Sequence, residues 1–391
     1  MDFGYNSVDE QEQQEEEEEV MAQHGNDPSS ESLDTERDLL EELTVKELKK
    51  RLKEEGLRTV GNKDELIERL LRPERETIGQ LKNGIAHCLL TADDILVMGL
   101  SWVNINEKRQ QVRQALNVER FKSFFGVEPS TLKDVYSKLV DLCDVNDVGL
   151  KEFLMLVEWL NKYDTESGMT SRWGWDEKHI GRKLKKVGKQ MQSASKAVIV
   201  LDLNNFDPKE VIIVSVDCVN YATTEFRLDP STMWFDHKSH GPGLKYEFGV
   251  CVHSPYCVWI RGPFPAGKYN DLSVFLGKES EGQPQAEWNR DALFWKIPSG
   301  KKAVADRIYA GCPQKVMVKR DGHPDWVTEY LDRIQNRQET YHRRLSSFNI
   351  LSDTFRHGKS TSEKMNLHRM AVDCVAFIVH HDLEYHPLME V

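Results

Sequence analysis

The sequence predicts a multi-domain protein of the mixed α+β and α/β classes, with a small helical hairpin, a helical middle region and a C-terminal domain built on a mixed sheet. Three observations point there. Leucines recur at helical spacing in two short stretches between residues 43 and 71, with a glycine between them. Residues 74–192 carry further stripes of helical period, such as Phe121, Phe124 and Phe125, then Leu132, Val135, Tyr136 and Leu139, then the run 153–160. From about residue 196 the pattern changes to short apolar runs of strand type, and helical spacing returns from residue 326. The 391 residues are enough for two or three domains.

The first region, 1–37, is an acidic leader. Residues 1–42 hold sixteen Asp and Glu against one basic residue, Arg37. The formal charge of −12 therefore divides into −15 on this stretch and +3 on the remaining 349 residues. A segment so charged and so poor in apolar residues is expected to be disordered. The body is mildly basic, so nucleic acid is not excluded as a partner. No run of about eighteen apolar residues is present, so no membrane span is expected, and the acidic N-terminus lacks the basic and apolar stretches of a secretory signal. Seven cysteines lie far apart with no C-x-x-C pair, which predicts reduced thiols in an intracellular protein.

The second region, 38–73, contains LTVKELKKRLKEEGLRTVGNKDELIERLL at 43–71. Thr44 and Glu47 have the spacing of a capping box. Leu48 and Leu52 share one helical face, Gly56 stops the first helix, and Leu66, Ile67 and Leu70 face inward from a second helix starting at Asn62 or Lys63. Leu43, Val45, Glu47, Leu48, Lys49, Leu52, Gly56, Leu57, Gly61, Lys63, Leu66, Ile67, Arg69 and Leu70 resemble the SAP motif almost position for position. That resemblance implies binding of double-stranded DNA, with Lys49, Lys53, Arg58, Lys63 and Arg69 as phosphate contacts. The interspersed Glu54, Glu55, Asp64, Glu65 and Glu68 predict weak, salt-sensitive binding.

The third region, 74–192, reads as a helical bundle. Residues 149–163 have spacing compatible with a helix-turn-helix or with plain bundle packing. Lys178, Arg182, Lys183, Lys185, Lys186 and Lys189 fall within twelve residues, a run that is either a solvated face or a track for a DNA backbone, with Lys183 and Lys186 as the candidate contacts. Trp173 and Trp175 are expected to pack inside.

The fourth region, 193–391, holds the candidate chemistry. Strands are expected at 197–201, 211–216, 246–252 and 256–260. Asp217 falls near the end of the apolar run VIIVSVDCV, where a turn cap, a salt bridge or a helix cap would each account for it. Asp271 follows the turn-rich GPFPAGKYN, Asp306 closes KKAVAD, and Glu339 lies in the polar helix NRQETYHRRL. Carboxylates at neighbouring strand ends and on a facing helix can converge, and crowding raises their pKa values unless a cation neutralises them. Mg²⁺ or Mn²⁺, hard ions that prefer oxygen, would do so. Two such ions support phosphodiester cleavage without a nucleophilic side chain. The chain shows no G-x-x-x-x-G-K-[ST], G-x-S-x-G or H-E-x-x-H.

From Asp217 onward the pieces SVDCVNY, HKSHGPGLKYEFGV, VWIRGPFPAGKYND, AVADRIYAG, NRQETYHRRLSSFNILSDTFRH and HPLMEV follow in order. Together they resemble the DDE superfamily endonuclease domain of Harbinger-type and related transposases. The resemblance implies an RNase H-like nuclease domain with an Asp-Asp-Glu metal site, in which Asp217 is the first aspartate and Glu339 the glutamate. Either Asp271 or Asp306 is the second aspartate, and all four are kept as catalytic and metal-site candidates. It further implies a nuclear, metal-dependent DNA nuclease or transposase that acts on duplex DNA, with a Myb-like DNA-binding partner protein and a homodimer as possible assemblies. The alternative is a domesticated, catalytically silent DNA- or chromatin-binding derivative. Lys238, Lys245, Arg337 and Arg356 are candidate phosphate contacts, or surface charges. The chain departs from the family pattern at Ile308, where glycine is common, and at His342 and Ser346, where Asn and Lys are common.

Overall fold

The structure, a computed structural model, describes residues 40–41, 43–54, 63–71, 90–105, 114–143 and 148–391. The acidic leader and Arg58 lie outside them. The chain forms two compact units, Met1–Asn83 and Gly84–Val391.

In the first unit, α1 (Val45–Glu54) and α2 (Lys63–Leu71) form the hairpin. The capping box is present: the Glu47 amide donates to Thr44 Oγ1 at 3.4 Å, and the Thr44 amide donates to Glu47 Oε2 at 2.8 Å. Leu40, Leu48, Leu52, Leu66, Ile67 and Leu70 close into one small core. Little area is buried in so small a unit, so its caps matter. Replacing Thr44 with Ala is expected to cost about 1 kcal/mol, read as faster hydrogen exchange of the α1 amides in the full chain.

The second unit begins with helices. They are α3 (Ala92–Trp102), α4 (Gln114–Phe125), α5 (Pro129–Leu142), α6 (Leu150–Lys162), α7 (Glu166–Trp173) and α8 (Glu177–Val198). Helix α6 is the middle of this bundle: every residue from Phe153 through Leu160 is buried, including Glu158. The Glu158 carboxylate is held by Arg172 Nε at 2.7 Å and by the Trp173 indole N–H. A recognition helix must expose one face to DNA, so the packing role accounts for this segment. The strand expected at 197–201 does not form. Ile180, Leu184, Val187, Met191 and Ala194 recur at helical spacing, and that buried stripe carries α8 on to Val198. Val200, just beyond, is half exposed.

The sheet follows. Its strands are β1 (Ile212–Ala222), β2 (Phe235–Asp236), β3 (Gly241–Cys251), β4 (Cys257–Pro265), β5 (Lys302–Ala305) and β6 (Val316–Val318). Helices α9 (Asp271–Leu276) and α10 (Leu293–Lys296) lie between β4 and β5, and α11 (Asp325–Leu345), α12 (Asn349–Ser352) and α13 (Thr361–Tyr385) follow β6. The main strand order is β4-β3-β1-β5-β6, with β2 pairing only the first two residues of β3. β1 and β4 each run antiparallel to β3, while β1, β5 and β6 are mutually parallel neighbours. This is the RNase H-like mixed sheet that the resemblance implies.

Alternation along β1 and β3 separates the two faces of the sheet. Val214 and Val216 join Phe275, Leu293, Ala303 and Tyr309 in a core that includes residues of α9 and α10. Val304 and Val252 pack instead on Leu331 and Ile334 of α11. Helix α13 touches α5, α8, α11 and β4, so it joins the helical bundle to the sheet. Among the described residues, no helix is long and apolar enough to cross a membrane.

Candidate functional site

β1 does not end near Asp217. It continues through Ala222 because β3 pairs with it all the way to Gly243. On its other side β1 pairs with β5 only as far as Ser215 opposite Val304. Two residues further along each chain come Asp217 and Asp306, so the register sets these aspartates side by side, just where β5 ends. Period-two alternation points both to the face that carries Ser215 and Val304.

Helix α11 lies over that face. The Ser215 hydroxyl donates to Gln338 Oε1 at 2.5 Å, and Gln338 Nε2 donates to the Phe248 carbonyl at 3.3 Å. One turn away, Gln335 Nε2 donates to the Ala305 carbonyl at 3.3 Å. His342 Nδ1 stands 3.7 Å from Asp217 Oδ2, and its Nε2 meets the Gln338 amide at 3.0 Å. Glu339 lies one helical turn from both Gln335 and His342 on α11. Its side chain is 63% exposed and lies 3.6 Å from Arg343.

The electrostatics follow from burial and crowding. Burial pushes the Asp217 carboxyl up to about 6, with further upward pushes from the charges of Asp271 and Asp306. The Cys218 amide, which donates to Asp217 at 2.8 Å, and the Lys238 charge oppose that rise. Asp306 is also raised, first by burial and then by Asp271, although it caps a short 3-10 turn by accepting from the Ile308 amide at 3.0 Å. His342 is pushed down to about 4 by burial, so its imidazole is neutral at pH 7.

Asp271, whose charge reaches both aspartates, opens α9 and forms an ion pair with Lys245, and both residues are buried. Among the described residues, no group of three or more His, Cys, Asp or Glu side chains is arranged to hold a metal ion. As donors, the Asp217 and Asp306 carboxylates suit a hard divalent cation, which would offset the burial and neighbouring negative charge that raise them.

Several basic candidates serve the fold. Lys245 is tied to Asp271. Arg337 is buried and donates to the Val252 carbonyl at 2.5 Å, and to that of Ser254. Arg356 donates to the Tyr163 carbonyl and stacks on the Tyr163 ring at 4.0 Å. None of the three is a plain surface charge. Lys238 is exposed beside the aspartates. On α8, Lys183 pairs with Glu152 at 2.8 Å, whereas Lys186 is exposed. In the hairpin Lys49 is exposed, while Lys63 donates to the Glu41 carbonyl at 2.6 Å. Lys53 and Arg69 lie on α1 and α2, with side chains outside the described set. Trp173 is fully buried, and Trp175 carries the Lys151 ammonium 4.5 Å from its ring centre.

Sequence reasoning missed Ser215, Gln338 and Glu247. Gln338 offered no signal, because its role depends on which face of α11 meets the sheet. Glu247 offered one: it is a lone acid in the apolar stretch KYEFGV, and Arg261 faces it across the β3–β4 ladder. Glu247 is fully buried, and its Oε2 accepts from the Trp259 indole N–H at 2.8 Å. Burial pushes its carboxyl up to about 7, against the hydrogen bond from Trp259 and the Arg261 charge. An acid raised in the folded state holds its proton where the unfolded chain has lost it. Stability is therefore expected to fall as pH rises from about 4.5 to about 7. Replacing Glu247 with Gln is expected to flatten that slope, worth about 3 kcal/mol at pH 8, in chemical denaturation run at several pH values.

Residues 39–72 match the SAP domain family. No curated protein matches the chain. Among solved structures, the chain is similar to a cryo-EM structure of the piggyBac transposase synaptic complex with hairpin DNA. The likeness has a TM-score of 0.37 at 9% identity and covers 68% of this chain and 75% of that one.

Proposed function

We propose that this protein is a metal-dependent DNA endonuclease of the DDE type, related to the Harbinger transposases and acting in the nucleus. The observation that carries the reading is the register of β1 and β5, which sets Asp217 beside Asp306 under the helix that bears Glu339. We assign Asp217, Asp306 and Glu339 as the residues that would hold Mg²⁺ or Mn²⁺, and Asp271 as the structural partner of Lys245. The bound ions would supply activation of water or a 3′-hydroxyl and stabilisation of the leaving oxygen.

The chain's own groups have separable parts in this reading. The Cys218 amide and neutral His342 orient the Asp217 carboxylate from two sides. Gln335 and Gln338 anchor α11, the helix that bears Glu339, to the sheet. Exposed Lys238 adds positive charge next to the acids, which favours the approach of a phosphodiester. The SAP-like hairpin, with Lys49 exposed, supplies sequence-tolerant duplex binding. A homodimer and a Myb-like partner belong to the same reading as assemblies that would bring two DNA ends together.

The test is nicking of supercoiled plasmid by the full chain. Cleavage that appears with Mg²⁺ or Mn²⁺ and disappears with EDTA is expected. A silent DNA-binding derivative is the second reading. It is favoured by Glu339 lying near Arg343 and by the His342 contact to Asp217. It predicts salt-sensitive DNA binding with no nicking under either metal.

A further inference from the structure

A second polar cavity, of about 700 Å³, opens beyond the end of β1. Its walls are residues 223–228, Pro242 at the start of β3, and the turn that leads into α13. Arg227, Arg356, Lys359 and Lys364 line it, against a single acid, Glu225. Lys364 is buried, and its ammonium is satisfied by neutral oxygens only: the Thr224 carbonyl at 2.7 Å, the Thr224 hydroxyl at 2.8 Å and the Glu225 carbonyl at 3.0 Å. Arg227 and Lys359 are exposed and form no ion pair with a carboxylate among the described residues. Burial first, and then the Arg227 charge, work against protonation of Lys364.

Two further features converge on the same space. The 25-residue helix α13 begins here, capped by the Ser360 hydroxyl, which accepts from the Glu363 amide at 3.2 Å. The first-turn amides of Thr361 and Ser362 have no acceptor within the helix, so they face outward with the positive end of the dipole. Thr223 also lines the cavity, is 3% exposed, and has a hydroxyl without a hydrogen-bond partner in the structure. The one acid in the first turn, Glu363, is met by Lys185 of α8 at 3.1 Å and accepts from the Lys359 amide at 2.9 Å. A cavity rich in donors and cations, with a spare buried hydroxyl, suits a tetrahedral oxyanion.

We propose that this cavity binds a backbone phosphate of a DNA strand. DNA as the source rests on the proposed nuclease reading, and the cavity's preference for phosphate does not. Thr223 lies six residues beyond Asp217 on the same chain path, about 20 Å at the rise of a strand. That distance is about six base-pair steps of duplex, so the cavity would hold DNA flanking the bond at Asp217 and Asp306.

The test measures binding of the full chain to a labelled duplex over a salt series, comparing wild type with an Arg227→Gln, Lys359→Gln double variant. Both side chains are exposed, so the variant should fold, which an unchanged melting temperature checks. Loss of two phosphate contacts is expected to reduce the log–log salt slope by about 2 and to weaken binding about tenfold at moderate salt. Lys209→Gln, an exposed change elsewhere in the same unit, should leave both unchanged. A folded double variant with wild-type slope and affinity would overturn the proposal. Inorganic phosphate is the second probe. If it raises the melting temperature of wild type but not of the variant, while both bind DNA equally, the cavity takes a free anion and the assignment to DNA is wrong. Loss of binding in the variant, alongside a wild type that never nicks plasmid, would leave the cavity assigned and remove the nuclease.

Discussion

Asp217→Asn and Asp306→Asn are each expected to abolish metal-dependent nicking, by about three orders of magnitude or about 4 kcal/mol of barrier. Both carboxylates come two residues beyond the last β1–β5 pair, Ser215 opposite Val304, and Asn keeps their shape while removing the charge that a cation needs. Glu339→Gln should give a comparable loss with no change in stability, because that side chain is exposed and its ion pair with Arg343, at 3.6 Å, lies on the surface. The Asp217 variant should also melt no lower than wild type at neutral pH without metal. Its carboxyl is raised to about 6, so ionisation above that pH opposes folding, and Asn removes the penalty. Added Mg²⁺ should then raise the melting temperature of wild type but not of Asp217→Asn. Full nicking by either aspartate variant would remove these residues from the site.

Asp271→Asn is expected to act through the fold. It leaves the buried Lys245 ammonium without its counter-charge, and breaking such a pair costs about 3–5 kcal/mol. Denaturant unfolding should show that loss, with residual nicking in proportion to the folded fraction. Replacing both partners, as Lys245→Met with Asp271→Leu, should recover most of the stability, because an apolar pair carries no desolvation penalty. If Asp271→Asn is as stable as wild type yet inactive, Asp271 and not Asp306 is the second aspartate of the site. Because one partner can be removed alone or both together, the two roles can be told apart within a single protein.

Local signals were legible in the sequence. The Thr44–Glu47 capping box, the leucine pattern of the hairpin and the helical stripes all depend on residues within a turn or two of one another, and they formed as the spacing predicts. The run at 197–201 reads as a strand because five apolar residues have no period of their own, whereas the stripe of α8 that precedes them carries the helix on to Val198. In the sequence Asp217 reads as lying near a strand end because hydropathy falls there. β1 continues past it on the strength of backbone bonds to β3, which side-chain chemistry does not report. The surroundings of Asp271 and Asp306 were likewise beyond the sequence. They turn on the parallel register of two strands about ninety positions apart and on Lys245 reaching across to α9.

Helix α13 follows the helical bundle and every strand of the sheet in the sequence, yet it is one of the most enclosed elements. Residues Met370 through Val379 are buried without a break, packed between the bundle and β4. While a ribosome is still making that stretch, the earlier helices and the sheet have only a vacant slot where it belongs. The nascent chain must therefore wait, with apolar surfaces of α5 and α8 uncovered, until residue 379 has cleared the exit tunnel. Such an intermediate is a natural client for chaperones. A premature stop before α13 would leave the bundle and the sheet without the element that joins them.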